Sequence, residues 1–218
     1  VGKTLVIESI VAFSPSHVLT VVIVPTIALA LDQARRMQST LSQMGEDHGG
    51  AYCWYGGLSE IERAETMERV RAGTQRVLFC SPESGLATLA GPILGAARVG
   101  ALGTIAIDEA HLVDQWGAEF RPDFQGVSAL LNSARRLTEE RLASDRHDEY
   151  RRSGVRCLLL SATFSKKTTA ILRSLFASQK YPFVSVHGGF LRPEIEYGLR
   201  RVSFAEHRAS TLEAVSIL

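Results

Sequence analysis

Lysine is scarce in this chain. Lys3, Lys166, Lys167 and Lys180 are the only lysines among 24 cationic residues, so the other 20 are arginine. That bias reads first as base composition, with arginine's use as a phosphate-binding side chain as the alternative. Cysteine is sparse too. Cys53, Cys80 and Cys157 lie far apart without a C-x-x-C spacing, which excludes a disulfide framework and a zinc-type cluster and suits buried free thiols in a reducing cytoplasm. No signal peptide, lipidation motif or apolar run of membrane-spanning length is present, which argues against a membrane partner. Charge of one sign is lacking as well: Lys+Arg 24 against Asp+Glu 23 leaves a net charge of +1. Such neutrality excludes a long-range electrostatic trap for nucleic acid while leaving room for a local basic groove.

What is present is a globular composition. Hydrophobic residues make up 45% of 218 and charged residues 22%, enough to bury a large core and to exclude a disordered tail. The length suggests one domain and a little more. The runs Val18–Val24, Val77–Cys80, Thr104–Ile107, Cys157–Leu160 and Phe183–Val186 are nearly continuous in branched and aromatic residues. Runs of this kind suit strands buried on both faces of a parallel sheet, so the fold class is α/β.

Helical patterns fill the intervals. Ile27, Leu31, Ala34, Leu41 and Met44 recur at helical spacing, with Gly45 as terminator. Ser59 and Glu62 form a capping box for a second helix reaching about Ala72, with Leu58, Ile61 and Val70 on its apolar side. The densely charged stretch 135–152 reads as a solvated helix or surface insertion, with a nucleic-acid contact as the alternative.

The chemistry begins at Gly2, Lys3 and Thr4, the closing tripeptide of G-x-x-x-x-G-K-[ST]. In such a loop, backbone N–H groups and a helix N-terminus surround phosphates, the lysine neutralises them and the hydroxyl binds Mg²⁺. The earlier glycine would precede Val1, and the start at valine and the uncapped helical pattern at 212–218 lead us to expect that both ends are cut. A second element, Thr104 to His111 (TIAIDEAH), places Asp108 and Glu109 at the carboxyl end of a buried strand, where open α/β sheets bind ligands. Asp108 then serves to hold Mg²⁺ and Glu109 to orient and deprotonate the water that attacks the γ-phosphorus.

Downstream, 114–124 (DQWGAEFRPDF) sets Trp116 and Phe120 among polar residues, a setting too polar for a buried strand. Aromatics exposed beside an ATPase site can stack on bases, and Arg121 can meet a phosphate or a carboxylate. The rival reading is that the aromatics pin the loop to the domain.

Asp108-Glu-Ala-His111 resembles motif II of superfamily 2 helicases, and 114–124 resembles the aromatic-rich loop that follows it in RecQ-like DNA helicases. The likeness continues in order. Residues 25–33 (PTIALALDQ) are similar to motif Ia and Ser81-Pro-Glu83 to motif Ib. Ser161-Ala-Thr163 is similar to motif III, and 190–197 (FLRPEIEY) to the segment leaving the first motor domain.

The resemblance implies a RecA-like P-loop NTPase fold, a mostly parallel sheet with helices on both faces. It implies ATP and Mg²⁺ as cofactors, with Gly2, Lys3 and Thr4 on the nucleotide and Thr4 and Asp108 on the metal. Glu109, Asp108, His111 and Gln115 are implied in catalysis, and Ser161 and Thr163 in coupling, where helix capping is their alternative. Pro25, Thr26, Ser81, Trp116, Phe120 and Arg121 are implied in DNA binding.

The expected organisation is a first motor domain over 1–189 and an exit segment over 190–218 towards a second RecA-like domain. Function is then ATP-driven 3′ to 5′ translocation and unwinding of single-stranded or forked DNA, in the cytoplasm. An ATP-dependent translocase or remodeller without strand separation is the alternative. The charged insertion and Ser161 in place of the threonine common in RecQ proteins depart from the pattern. The chain alone is not expected to be a competent motor, and its oligomeric state is left open.

Overall fold

The computed structural model describes residues 2–47, 49–115, 117–144 and 154–186, without the side chains of 114–121. The chain divides into a unit spanning Val1–Phe183 and a second, Val184–Leu218, of which only 184–186 are described. The boundary expected at 189–190 lies outside the described residues.

Four parallel strands form the sheet: β1 (Leu19–Ile23), β2 (Val77–Cys80), β3 (Leu102–Ile107) and β4 (Arg156–Leu159), in the order β2-β1-β3-β4. The branched runs form these strands because both faces are covered. Alternate residues divide between two cores, as the period of two requires. Leu19, Val21, Ile23, Leu78, Cys80, Ile105 and Ile107 join one core, and Val22, Val77, Phe79 and Ala106 the other.

The second core is closed by α1 (Lys3–Phe13) and α2 (Ile27–Gln43) through Ile7, Val11, Ala30, Ala34, Met37 and Leu41. The first lies under α3 (Glu60–Ala72), α5 (Ala90–Arg98), α7 (Gly117–Ser144) and α8 (Lys166–Phe176). Short helices α4 (Pro82–Ala87) and α6 (Leu112–Gln115) follow β2 and β3. The fold is therefore α/β with helices on both faces, as the sequence led us to expect. No helix among the described residues is long and apolar enough to cross a membrane.

The fifth expected strand is a correction. Residues 183–186 carry no strand, and Val184 and Val186 are 77% and 91% exposed. Branched residues favour a strand only where a ladder partner and a covering layer exist. Among the described residues β4 is the last strand on that side of the sheet.

Local signals fared better. Ser59 and Glu62 make the expected capping box, and α3 ends at Gly73 with φ 71°. In α2 the buried face is Ala30, Gln33, Ala34, Met37 and Leu41, whereas Ile27 and the C-cap Met44 are about half exposed. Leu58, just before α3, and Val70 within it are buried, whereas Ile61 is exposed. The charged stretch continues α7 and carries an Arg136–Glu140 pair at 3.8 Å, but Arg135 and Thr138 within it are buried. Residues 145–152 of that stretch lie outside the described residues.

The three thiols are free. Burial pushes Cys53 up to about 11 and Cys80 and Cys157 to about 12, so none is a thiolate near neutral pH.

One buried charge fixes α1 against the sheet. The Arg76 guanidinium, 1% exposed, donates to the carbonyls of Val11 (2.8 Å), Ser14 (2.9 Å) and Pro15, and pairs with Glu46 at 2.8 Å. It thereby supplies donors to carbonyls that the end of α1 leaves open.

Candidate nucleotide site at the carboxyl edge of the sheet

In the order β2-β1-β3-β4 the chain leaves β1 for β2 on one side and β3 for β4 on the other, so the crevice between the carboxyl ends of β1 and β3 is where an open α/β sheet binds ligands. Asp108 follows β3 there, and its backbone N–H donates to Ile23 O at 2.9 Å, tying the two strand ends together. Its side chain is buried. Glu109 has φ 52°, the sole non-glycine residue in left-handed backbone among those described. That conformation costs roughly 1–2 kcal/mol for an L-residue, and from it the Glu109 carboxylate reaches the same lysine ammonium as Asp108.

The start of α1 faces this pair. Gly2 caps the helix with φ 94°, offers no side-chain cap and has open space around its α-carbon. Lys3 Nζ pairs with Asp108 Oδ1 at 3.1 Å and hydrogen bonds to Glu109 Oε1. Burial alone would lower the Lys3 pKa, but hydrogen bonds and attraction to Glu109 and Asp108 outweigh it and leave it raised. Residues separated by 106 positions thus share one pocket. Thr4 stands in the first turn of α1 beside Lys3.

The acidic pair is held from the other side as well. Gln33 Nε2 donates to Asp108 Oδ2 at 2.8 Å in a buried contact, while the Glu109 N–H donates to Asp108 Oδ1 at 2.8 Å. His111 Nδ1 lies 3.1 Å from Glu109 Oε2 and 2.9 Å from Ser161 Oγ. One ring nitrogen cannot serve both partners with the same proton. With the proton on Nδ1 it donates to Glu109; without it, it accepts from Ser161. The Ser161 hydroxyl can also donate to Thr163 O at 2.8 Å, and Ser161 Oγ accepts from Thr163 N at 3.1 Å. Helix capping does not account for this pair, since Ser165 is the N-cap of α8.

The residues present fit a magnesium nucleotide. Mg²⁺ takes hard oxygen ligands, few of them from protein, with phosphates and waters completing the set. Asp108 and the Thr4 hydroxyl are such donors. No group of three or more His, Cys, Asp or Glu among the described residues could hold a metal ion unaided. The crevice already attracts a cation, the Lys3 ammonium, between its two carboxylates.

The remaining expected residues separate into two groups. Pro25 and Thr26 sit just beyond β1, and the Thr26 hydroxyl caps α2 by accepting from Leu29 N at 3.3 Å. Ser81 caps α4 by accepting from Ser84 N at 3.3 Å. Both hydroxyls therefore have a structural role. The expected aromatic-rich loop is largely helical, with α6 ending at Gln115 and α7 starting at Gly117. Trp116 lies outside the described residues, as do the side chains of Gln115, Phe120 and Arg121. Phe124, at the end of that segment, is buried in the core and anchors it.

Gln33 was not singled out by sequence reasoning. Its signal was a polar side chain at helical spacing from Ala30, Ala34 and Met37, inside the stripe that α2 buries.

Comparison with known proteins bears on the family and the fold. A family model described as DEAD/DEAH box helicase matches residues 1–171. The human protein named "ATP-dependent DNA helicase Q4" is 28% identical over 174 residues, covering 79% of this chain and 12% of that protein. The Arabidopsis thaliana "ATP-dependent DNA helicase Q-like SIM" is 27% identical over 196 residues, covering 88% of this chain and 20% of that protein. The chain thus spans a fifth or less of either relative. Among solved structures, the DUF1998 helicase MrfA bound to DNA and AMPPNP superposes with a TM-score of 0.57 at 18% identity, covering 96% of this chain and 27% of the other. This last likeness is one of fold.

Proposed function

The chain belongs to the DEAD/DEAH box helicase family, and from that premise we propose that it is the first RecA-like motor domain, over 1–189, of a RecQ-like DNA helicase. In the complete protein it couples hydrolysis of Mg-ATP to 3′ to 5′ movement along one DNA strand and to duplex opening. The observation that carries this reading is the convergence of Lys3, Asp108 and Glu109 at the carboxyl edge of the sheet.

Gly2 and the first turn of α1 receive the phosphates, with Lys3 leaving its carboxylate partners to neutralise them. Thr4 and Asp108 would hold Mg²⁺, which would supply positive charge to offset that of the phosphate oxygens. Glu109, freed from Lys3, orients a water and takes its proton as the water oxygen bonds to the γ-phosphorus. The bond to the bridging oxygen breaks, and ADP leaves with the electron pair.

His111, exchanging between Glu109 and Ser161, passes the state of the site to motif III, where Ser161 and Thr163 couple it to the second RecA-like domain beyond the exit segment 190–218. Gln115 adds to that link. Pro25, Thr26, Ser81, Trp116, Phe120 and Arg121 form the DNA-facing side, the aromatics stacking on bases. Both curated relatives are named as ATP-dependent DNA helicases, which supports DNA as the track.

The test uses the protein that carries this domain with its partner motor domain. ATP hydrolysis stimulated by single-stranded DNA, together with displacement of a strand from a 3′-tailed duplex, is the expected result. Stimulated hydrolysis without displacement would favour a translocase, and hydrolysis indifferent to DNA would refute the reading.

A further inference from the structure

We propose that Gln33 is a positioning residue that fixes the Asp108 carboxylate and makes its orientation depend on the placement of α2, so that DNA engaged at the start of α2 is felt at the magnesium site. This rests on the functional reading above and adds to it a residue and a physical link.

The first argument is burial. Gln33 is 5% exposed and lies in the stripe that α2 presses onto the sheet, between Ala30, Ala34 and Met37. A buried amide is costly unless its donors and acceptor are used. Here one hydrogen bond is made: Nε2 donates to Asp108 Oδ2 at 2.8 Å, while Oε1 is buried without a hydrogen-bond partner. A methionine or leucine would fill the same volume without that penalty, so packing does not explain the amide. Its contact with Asp108 does.

The second argument is how the carboxylate is divided. Asp108 Oδ1 accepts from Glu109 N and faces Lys3, so it is the oxygen turned towards the crevice. Oδ2 is occupied by Gln33. With both oxygens assigned, rotation about the Cβ–Cγ bond is arrested, and one oxygen is presented to the cation site. Without Gln33 the carboxylate keeps only the backbone donor of Glu109 and the exchangeable Lys3 pair.

The third argument concerns what else α2 carries. The helix runs unbroken over 17 residues from its Thr26 cap. Gln33 follows Thr26 by seven positions, about 10 Å along a helix. Pro25 and Thr26 face the DNA in the proposed function, so a strand bearing on the start of α2 displaces a rigid element whose second turn holds Asp108. The hydrogen bond is made in one placement and weakened in the other, which supplies the two discrete states that coupling between sites requires.

The experiment compares Gln33→Met, which keeps volume and removes the donor, with Met37→Ala, which loosens the same helix without touching Asp108. Both are made in the protein that carries the complete motor. Three quantities are read: the Mg²⁺ concentration needed for half-maximal equilibrium binding of a non-hydrolysable ATP analogue, the factor by which single-stranded DNA stimulates hydrolysis, and the melting temperature. Gln33→Met is expected to raise the Mg²⁺ midpoint and cut the stimulation factor, each by roughly 5- to 10-fold, within the range of coupling between sites. Met37→Ala is expected to lower the melting temperature further while holding both other quantities within about twofold of wild type.

Wild-type values in Gln33→Met, or equal losses in Met37→Ala, would overturn the proposal, the latter by showing that general loosening of α2 suffices. A wild-type protein whose hydrolysis ignores DNA would refute the functional reading instead. In that event the Mg²⁺ midpoint still decides whether Gln33 positions Asp108.

Discussion

The two ends of α1 are built on opposite plans. At its start the helix has a left-handed glycine, no side-chain cap, and a lysine whose partners are two carboxylates on another element. At its finish, Ser14 bonds back to Ile10 O at 2.6 Å, and the sealed guanidinium of Arg76 takes the carbonyls of Val11, Ser14 and Pro15. The first arrangement leaves backbone donors open and holds a cation by contacts that an anion can displace. The second spends every contact inside the protein. Stability and the proposed nucleotide binding thus fall to different ends of one helix, and each should be open to disturbance without the other.

The largest effect belongs to the open end. Glu109→Gln should retain ATP-analogue binding while kcat falls by about 10²- to 10⁴-fold, the usual worth of a positioned base; single-turnover hydrolysis measures it. Lys3→Ala should weaken nucleotide binding in equilibrium titration, because the phosphates lose their cation.

Next comes the closed end. Arg76→Met should lower unfolding free energy by about 3 kcal/mol in denaturant titration, since the carbonyls of Val11, Ser14 and Pro15 each lose a charged donor and Glu46, itself partly exposed, loses its partner. ATP-analogue affinity should hold within about twofold at a temperature where the variant is folded. A matching loss of affinity would mean that the two ends are not separable.

Smaller effects lie away from α1 and calibrate the comparison. Ser59→Ala removes the capping box of α3 and should cost about 1 kcal/mol with activity unchanged. Asp47 sits in the turn after α2, where hydrogen bonds from Ser42, Gly49 N and Tyr52 lower its pKa. A carboxylate lowered on folding stabilises above its unfolded pKa, about 3.9 for aspartate, and that contribution is lost as pH falls through the folded value. The stability gap between wild type and Asp47→Asn should therefore be full at neutral pH and close in acid, as denaturant midpoints across pH would record.

The carboxyl-edge site was legible because its signals are local. Gly2-Lys3-Thr4 opens a helix, and Asp108-Glu109 ends a run of buried-strand residues, so the fold rule alone brings them to one edge. What escaped was pairing at long range. Nothing in the neighbours of Gln33 or Arg76 announces a bond 75 or 62 positions away, apart from a polar residue where an apolar one would pack.

The run 183–186 misled for the converse reason. Its residues favour a strand, but strand formation depends on a neighbour that the run itself does not encode. In the aromatic-rich segment the polar setting of Trp116 and Phe120 spoke against a strand and was read as a loop, whereas the described residues on either side of Trp116 are helical.

Left-handed backbone at Glu109 carries a consequence for selection. Glycine, or asparagine, would adopt φ 52° with less penalty than glutamate, so a screen for heat resistance alone would drift towards replacing the residue proposed to move the proton. Glutamate endures there only where turnover is what is rewarded, and this single torsion marks a trade-off between durability and work.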